Sequence, residues 1–127
     1  MSFEKYFTAE EANSLVPELL EVVPLIQEFS RRLLRNYPDV ARAREKAKLD
    51  GGSRDGVSYL RVALQLNRLS NQLTSKGCVI KGLEQGLVDF PAIRDGKEIF
   101  LCWKNPEQSI THWHHLDTGF AGRQKLD

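Results

Sequence analysis

The sequence predicts an α+β protein in which a long antiparallel helical hairpin is followed by a small antiparallel β-sheet. Two observations lead to this fold class. Up to Gly77, apolar residues recur at alternating steps of three and four, which is typical of one face of a helix. After Gly77 the apolar runs become short, and an Asp95-Gly96 pair separates two of them, which is typical of a β-hairpin.

The size and composition of the chain are those of one ordinary soluble domain. It has 127 residues, a formal net charge of +1, 41% apolar residues and 28% charged residues. We expect a single domain over residues 1–127, with the helical hairpin in 1–77 and a small β module with a glycine-rich tail in 78–127. No apolar run approaches the ~20 residues that span a bilayer, and the N-terminus has no secretory-signal pattern. We therefore expect no membrane association and a cytoplasmic location.

The first helix is expected over residues 9–36. Thr8 and Glu11 form a capping box at its start, because the hydroxyl and the carboxylate of such a pair can each accept a backbone N–H. Pro17 and Pro24 fall within the apolar repeat, so we predict one kinked helix about 42 Å long rather than two helices. Its apolar stripe repeats every seven residues, as in a coiled coil, and consists of Leu15, Leu19, Val22, Ile26, Phe29 and Leu33.

The second helix is expected to begin near Val57 or Ser58 and to end at Lys76, with Gly77 as its C-terminal stop. A glycine-rich connection precedes it, so the two helices should fold back as an antiparallel hairpin. A helix of about 42 Å is long for a compact domain of this size, whose radius of gyration is about 14 Å. The helix would therefore protrude or pack along a partner, and the two stripes would face each other or a second copy. Of these arrangements we predict a homodimer. The second stripe consists of Tyr59, Val62, Leu66, Leu69 and Leu73.

The β module should be a small antiparallel sheet. Its clearest element is the hairpin around Asp95-Gly96, because both residues of this pair tolerate a positive φ. The tail is too glycine-rich for regular structure. The strand-like runs cover residues 79–80, 87–90, 92–94, 97–103 and 109–115.

Charge is unevenly distributed along the chain. Residues 1–30 contain six acids and one base, whereas residues 31–54 contain eight bases and three acids. A basic segment of this kind suggests nucleic-acid binding through residues 31–54. Only Tyr37 interleaves the bases and no known binding motif is present, so the sequence favours a solvated or internally paired segment over a nucleic-acid partner.

A metal site is one possibility for the histidines, which all fall within residues 112–115. His112 and His114 would project from the same face of a strand about 6.6 Å apart, where two imidazoles can share a metal ion. Alternatively, the histidines are partly exposed strand residues without a ligand, and the sequence assigns no cofactor. A third metal ligand would come from Asp89, Cys102, Glu107 or Asp117.

A small-molecule site is a second possibility, because residues 86–124 set charged side chains among aromatic ones. His114 would act as general acid or base, with Asp89 and Glu107 as catalytic carboxylates. The alternative is a structural sheet whose charged residues pair with one another, and in which Cys102 is a buried thiol rather than a nucleophile. The residues that would hold the unidentified ligand are Arg94, Arg123, Trp103 and Trp113, with the arginines binding a carboxylate or phosphate.

Two sets of motifs run through nearly the whole chain. The first is Tyr6-Phe7-Thr8-Ala9-Glu10-Glu11-Ala12-Asn13, followed by Leu15, Pro17 and Leu19. The second comprises Gly86-Leu87-Val88-Asp89-Phe90-Pro91-Ala92, Leu101-Cys102-Trp103, Glu107, Ile110, Trp113-His114 and Gly119-Phe120-Ala121-Gly122-Arg123. In order and spacing they resemble the uncharacterised bacterial family DUF2203, a domain of unknown function. The resemblance implies no activity, substrate or cofactor, but it includes Asp89, Trp103, Glu107, His114 and Arg123 in the family pattern.

Three hypotheses about function follow from the sequence. The one it favours is a self-associating protein, in which the helical hairpin dimerises and the β module has a structural or partner-binding role. The alternative is a small-molecule- or metal-binding enzyme with its site in residues 86–124. A further alternative is nucleic-acid binding through residues 31–54.

Overall fold

A computed structural model of the chain describes residues 2–36 and 54–127, in which helices precede an antiparallel sheet. This architecture confirms the α+β class. The described ranges contain no helix with the length and apolar content needed to cross a membrane. The helices are α1 (Ala9–Ser14), α2 (Val16–Asn36) and α3 (Arg54–Thr74). The strands are β1 (Val79–Gly82), β2 (Leu87–Arg94), β3 (Lys97–Lys104), β4 (His112–His115) and β5 (Gln124–Lys125), with a 3-10 turn at Phe120–Gly122.

Helix α1 is held by side-chain hydrogen bonds at both ends. The capping box is confirmed, because Thr8 Oγ1 accepts the Glu11 N–H at 3.0 Å and Glu11 Oε1 accepts the Thr8 N–H at 2.9 Å. At the other end, Asn13 Nδ2 donates to the Ala9 carbonyl at 2.9 Å. Asn13 Oδ1 accepts the backbone N–H of Ile110 at 2.7 Å, so this amide joins α1 to the segment before β4.

The first helical region is broken at Leu15, which separates α1 from α2. Pro17 lacks the N–H that would donate to the Asn13 carbonyl, so the helical hydrogen-bond ladder is interrupted there. Pro24 lies inside α2, which continues through it. The prediction of one kinked helix over residues 9–36 is therefore wrong, although the break is only one residue long.

Helices α2 and α3 pack against each other and bury part of each apolar stripe within the chain. Glu18, in the first turn of α2, pairs with Lys76 just after α3, so the two helices run in opposite directions. Leu19 and Leu73, one from each stripe, are almost completely buried in a common core. The helical hairpin itself stays a prediction, because the connection between its two helices falls within residues 37–53, outside the described ranges.

The five strands follow one another in chain order, and each pairs antiparallel with the next. The predicted β-hairpin is confirmed, because Asp95 and Gly96 have φ values of 52° and 76° and join β2 to β3 in a two-residue turn. The predicted strand over residues 109–115 is shorter than expected. The tail prediction is wrong, because Leu126 N–H bonds to the Thr111 carbonyl at 2.8 Å and holds β5 beside β4.

The central strands are buried on both faces. One face of the sheet packs on the helices through a row that includes Phe90, Leu101 and Trp103. On the opposite face Phe100 is covered by the ring of Phe3, with ring centroids 5.4 Å apart. The second face therefore also has an interior, and the polar groups described next lie in it.

Candidate functional site

Three polar side chains from adjacent strands meet on the sheet face opposite the helices. Asp89 lies on β2, Cys102 on β3 and His114 on β4, with Asp89 directly opposite Cys102 in the β2–β3 register. Taken as whole residues, they are 2%, 1% and 2% exposed. One carboxylate oxygen, the thiol sulfur and one imidazole nitrogen all lie within 4.8 Å of one another. Burial of three such groups at one point is costly, since polar groups lose their contacts with water.

The hydrogen bonds of His114 define which ring nitrogen carries a proton. Nδ1 lies 2.7 Å from the backbone carbonyl oxygen of His115, which can only accept, so Nδ1 is the donor. Nε2 lies 2.9 Å from Asp89 Oδ2. A neutral imidazole protonated at Nδ1 presents a lone pair at Nε2, and the Asp89 carboxylate also presents lone pairs. A hydrogen bond between these two atoms therefore requires a second proton. This proton is carried either by His114, as an imidazolium, or by Asp89, as a carboxylic acid.

Burial changes the acidity of the other two groups. It raises the pKa of Asp89, and the charge and hydrogen bond of His114 oppose that rise. Burial also raises the pKa of Cys102 to about 11, and the nearby Asp89 carboxylate adds to the effect. Cys102 is therefore a thiol at neutral pH, which disfavours the interpretation of this residue as an unassisted nucleophile.

A cavity of about 80 Å³ opens above the three polar groups. Its polar floor is formed by Asp89, Cys102 and His114. The ammonium of Lys81 lies 4.5 Å from the centre of the Phe100 ring and supplies a positive charge to the wall. The remaining lining residues are largely apolar and comprise Leu87, Leu116, Gly119 and Phe120.

An ion pair supports the site beside Cys102. Arg123 donates to both carboxylate oxygens of Glu107, at 2.8 and 3.4 Å. Its Nη1 also lies 3.9 Å from Cys102 Sγ, and its guanidinium stacks 4.4 Å from the centre of the Phe120 ring. Burial raises the pKa of Glu107, but hydrogen bonds from Arg123 and from the Lys104 N–H outweigh it, so the net shift is downward. The pair lies next to the cavity and contacts two of its lining residues, Cys102 and Phe120, but it does not line the cavity itself.

A family comparison accounts for nearly the whole chain. The family model described as "Uncharacterized conserved protein (DUF2203)" matches residues 5–126. The chain belongs to DUF2203. No curated protein and no solved structure matches it significantly. The family description assigns no activity to DUF2203.

Only some of the predicted site residues of this DUF2203 chain lie at the cavity. Asp89 and His114 line the cavity, and Glu107 and Arg123 flank it. Trp103 lies on the helix-facing side of the sheet and donates its indole N–H to the Glu107 carbonyl at 2.8 Å. The structure therefore keeps Trp103 out of the cavity.

Two other predicted ligand-binding residues lie together elsewhere. The guanidinium of Arg94 stacks 4.8 Å from the centre of the Trp113 ring and pairs with Asp127 at 3.1 Å. Trp113 belongs to the core on the helix-facing side. Neither residue contributes to the cavity lining.

The two histidines predicted to bind a metal together do not meet at one site. His112 and His114 lie on the same side of β4, since they are two residues apart, but His112 Nδ1 bonds to Thr111 Oγ1 at 2.8 Å. Within the described residues, the cluster of possible metal ligands contains His114 with Asp89 and Cys102, and it does not include His112.

Sequence reasoning missed Lys81, and for the metal site it named Cys102 only as one of four possible third ligands. A signal for Cys102 was present, because a two-residue turn at Asp95-Gly96 sets Arg94 opposite Lys97. Counting five residues outward along each strand then brings Asp89 opposite Cys102. Lys81 had no such signal, because it lies at an irregularity in the β1–β2 register.

The basic segment falls mostly outside the described ranges. Of its described members, Arg31 and Arg32 each lie 3.4 Å from a carboxylate oxygen of Glu28 on the same helix. Nucleic-acid binding through residues 31–54 stays a prediction.

Proposed function

We propose that this DUF2203 protein binds a small molecule in the cavity above Asp89, Cys102 and His114. One observation carries the proposal: a buried carboxylate–imidazole pair forms the floor of a cavity. Replacing such a pair by apolar residues is often neutral or stabilising, so burial of the pair is poorly explained by stability alone. A concave site with an apolar wall and a few converging polar groups is the usual form of a small-molecule site.

The lining favours a small organic anion as the ligand. Lys81 supplies the positive charge on the cavity wall, while Leu116 and Phe120 form an apolar rim that is more than one-third exposed. The cavity has room for a few non-hydrogen atoms, with any further apolar part of the ligand lying against the rim. A carboxylate joined to a short apolar group matches this distribution of charge and apolar surface.

Each side chain would have a distinct part in binding. Lys81 would pair with the carboxylate of the ligand. Its ammonium sits on a flexible side chain, so this pairing does not require one fixed geometry. The floor residues would contact the polar atoms at the other end. His114 is held in one orientation by its bond to the His115 carbonyl, so the floor is organised before the ligand arrives.

Ligand binding can be tested with matched carboxylates and amides. Nuclear magnetic resonance of the ligands should show that short-chain carboxylates bind, and that amides of the same carbon skeleton do not. Lys81→Met should weaken carboxylate binding by about tenfold, which corresponds to about 1.4 kcal/mol. Lys97→Met, at the exposed β2–β3 turn, is the matched control and should have no effect. Equal binding of acids and amides, or equal affinities of the two variants, would overturn the proposal.

Self-association is a second candidate function, supported by exposed leucines on α3. Leu60 and Leu64 are one helical turn apart and are 55% and 62% exposed, so they form an apolar surface on one side of the helix. The heptad stripes do not supply this surface, because Leu19 and Leu69 are buried within the chain. A helical hairpin that dimerises through this surface would act as a structural or partner-binding module.

Oligomeric mass measured by light scattering tests this candidate. A dimer of the full chain should become a monomer when Leu60 and Leu64 are both replaced by Lys. Replacement of Leu83, an exposed leucine beyond β1, should leave the dimer unchanged. A wild-type monomer at all accessible concentrations would exclude self-association.

A further inference from the structure

We infer that Asp89, Cys102 and His114 form a binding site for one Zn²⁺ ion, whose fourth coordination position faces the cavity. The inference deepens the proposed function, since the metal would lie at the floor of the same cavity. It shares the Asp89–His114 contact with the proposed function, but the metal can be tested without any organic ligand.

The donor set is the first argument. One carboxylate oxygen, one thiol sulfur and one imidazole nitrogen lie within 4.8 Å of one another. Zinc accepts all three donor types, and sites with three protein ligands and one open position are typical of catalytic zinc. A thiol and an imidazole also favour zinc over Mg²⁺ or Ca²⁺, which prefer oxygen ligands.

The orientation of His114 is the second argument. A histidine that binds a metal through one nitrogen generally donates its other N–H to a carbonyl or carboxylate, which fixes the ring. Here Nδ1–H donates to the His115 carbonyl at 2.7 Å, and Nε2 is directed towards Asp89 Oδ2 at 2.9 Å. A metal ion can therefore take the place of the proton that otherwise lies between these two atoms.

Charge balance is the third argument. With zinc bound, Asp89 and Cys102 would each carry one negative charge and His114 would be neutral, so a buried centre would have no net charge. Binding would release two protons, one from the thiol and one from the Asp89–His114 pair.

The surrounding cations are compatible with this balance. Arg123 lies 3.9 Å from Cys102 Sγ and would stabilise the thiolate, while its own charge is paired with Glu107. Lys81 lies on the cavity wall, and its side chain is exposed, so it can turn towards solvent or towards a bound anion.

The chain contains matched controls for two of the three ligands. His112 lies on the same strand as His114 but outside the cluster. Cys78 is a second buried free thiol and is likewise outside the cluster. Comparing each residue with its control separates metal binding from a general effect of removing a histidine or a thiol.

The experiment uses the full chain, treated with a chelator and then titrated with Zn²⁺ or Co²⁺. Elemental analysis should give one zinc per chain. Cobalt should produce a thiolate-to-metal charge-transfer band that is lost in Cys102→Ser and retained in Cys78→Ser. His114→Gln should lower zinc affinity by about a hundredfold or more, whereas His112→Gln should change it by less than about twofold.

Several outcomes would overturn the inference. They are a wild-type chain that takes up less than about one-tenth equivalent of zinc, a cobalt band that survives Cys102→Ser, and equal loss of metal in His112→Gln and His114→Gln. Circular dichroism establishes that each variant is folded, and if His114→Gln is not, the cobalt spectra of the cysteine variants decide the matter. Carboxylate binding to the chelator-treated protein is measured separately, so failure of the metal and failure of the ligand proposal can be told apart.

Discussion

The carboxylate of Asp89 and the imidazole of His114 lie 2.9 Å apart in the interior of the sheet, and each side chain is 3% exposed. The two residues belong to strands that are separated by β3, and 25 positions separate them along the chain. Their contact brings two titratable groups into an apolar environment where each depends on the other. The first prediction follows from that dependence.

Replacing Asp89 should destabilise the protein by an amount that depends on the replacement. Asp89→Ala leaves His114 Nε2 buried without a partner and should cost about 3–5 kcal/mol of unfolding free energy. Asp89→Asn provides an amide N–H for the Nε2 lone pair and should cost about 1–2 kcal/mol. Urea unfolding with a chelator present measures both values. Equal losses would show that the hydrogen bond contributes little.

The Glu107–Arg123 ion pair should make stability depend on pH. The pKa of Glu107 is lower in the folded protein than in the unfolded chain. The stabilisation is therefore complete above the unfolded value of about 4.3, and it is lost as pH falls through the lower folded value. Because the pair is partly exposed, Glu107→Gln should cost about 1–2 kcal/mol at pH 7.

Unfolding experiments on the wild type and on Glu107→Gln check this dependence. The difference in unfolding free energy should be constant between about pH 7 and pH 5.5 and should shrink below about pH 4.3. A difference that grows as pH falls would contradict the assigned direction of the shift.

The β2–β3 turn should tolerate asparagine better than alanine at Gly96. Its φ of 76° lies in the left-handed region, and a Cβ at this position would meet no atom within 4 Å. The cost of Gly96→Ala is therefore conformational strain, about 1 kcal/mol. Gly96→Asn should cost less, because asparagine adopts this conformation more readily. Thermal unfolding of the two variants tests the order, and a smaller loss for alanine would contradict it.

The amide of Asn13 should contribute to stability through its link between α1 and the segment before β4. Asn13→Ala leaves the buried Ile110 N–H without its 2.7 Å acceptor and should cost about 1–3 kcal/mol. Asn13→Asp keeps an acceptor for Ile110 but loses the donor to the Ala9 carbonyl, so its loss should be smaller. Urea unfolding compares the two variants. Indistinguishable losses would assign the effect to the Ala9 bond instead.

The local elements of the fold could be predicted because their causes are local in sequence. The Thr8–Glu11 capping box needs only residues three positions apart, and the Asp95-Gly96 turn needs only two. The break at Leu15 was missed because one missing N–H at Pro17 had to be weighed against a regular apolar repeat. A sequence pattern does not give the outcome of that competition.

The candidate site could be predicted in part. The turn at Asp95-Gly96 sets the β2–β3 register, so the meeting of Asp89 with Cys102 was implied by counting along two strands. The segment joining β3 to β4 is longer and has no two-residue turn, so the position of His114 relative to Asp89 was not implied. The choice between His112 and His114 was open for the same reason.

The sequence by itself determined the α+β class, the cap of the first helix, the β2–β3 hairpin and therefore the pairing of Asp89 with Cys102. Only the tertiary structure decided that His114 joins them, that the tail returns to pair with β4, and that part of each apolar stripe is buried within one chain. The physical reason is that turns and caps depend on the conformations of neighbouring residues. The burial and proton state of His114, in contrast, depend on atoms contributed by several strands and by the tail.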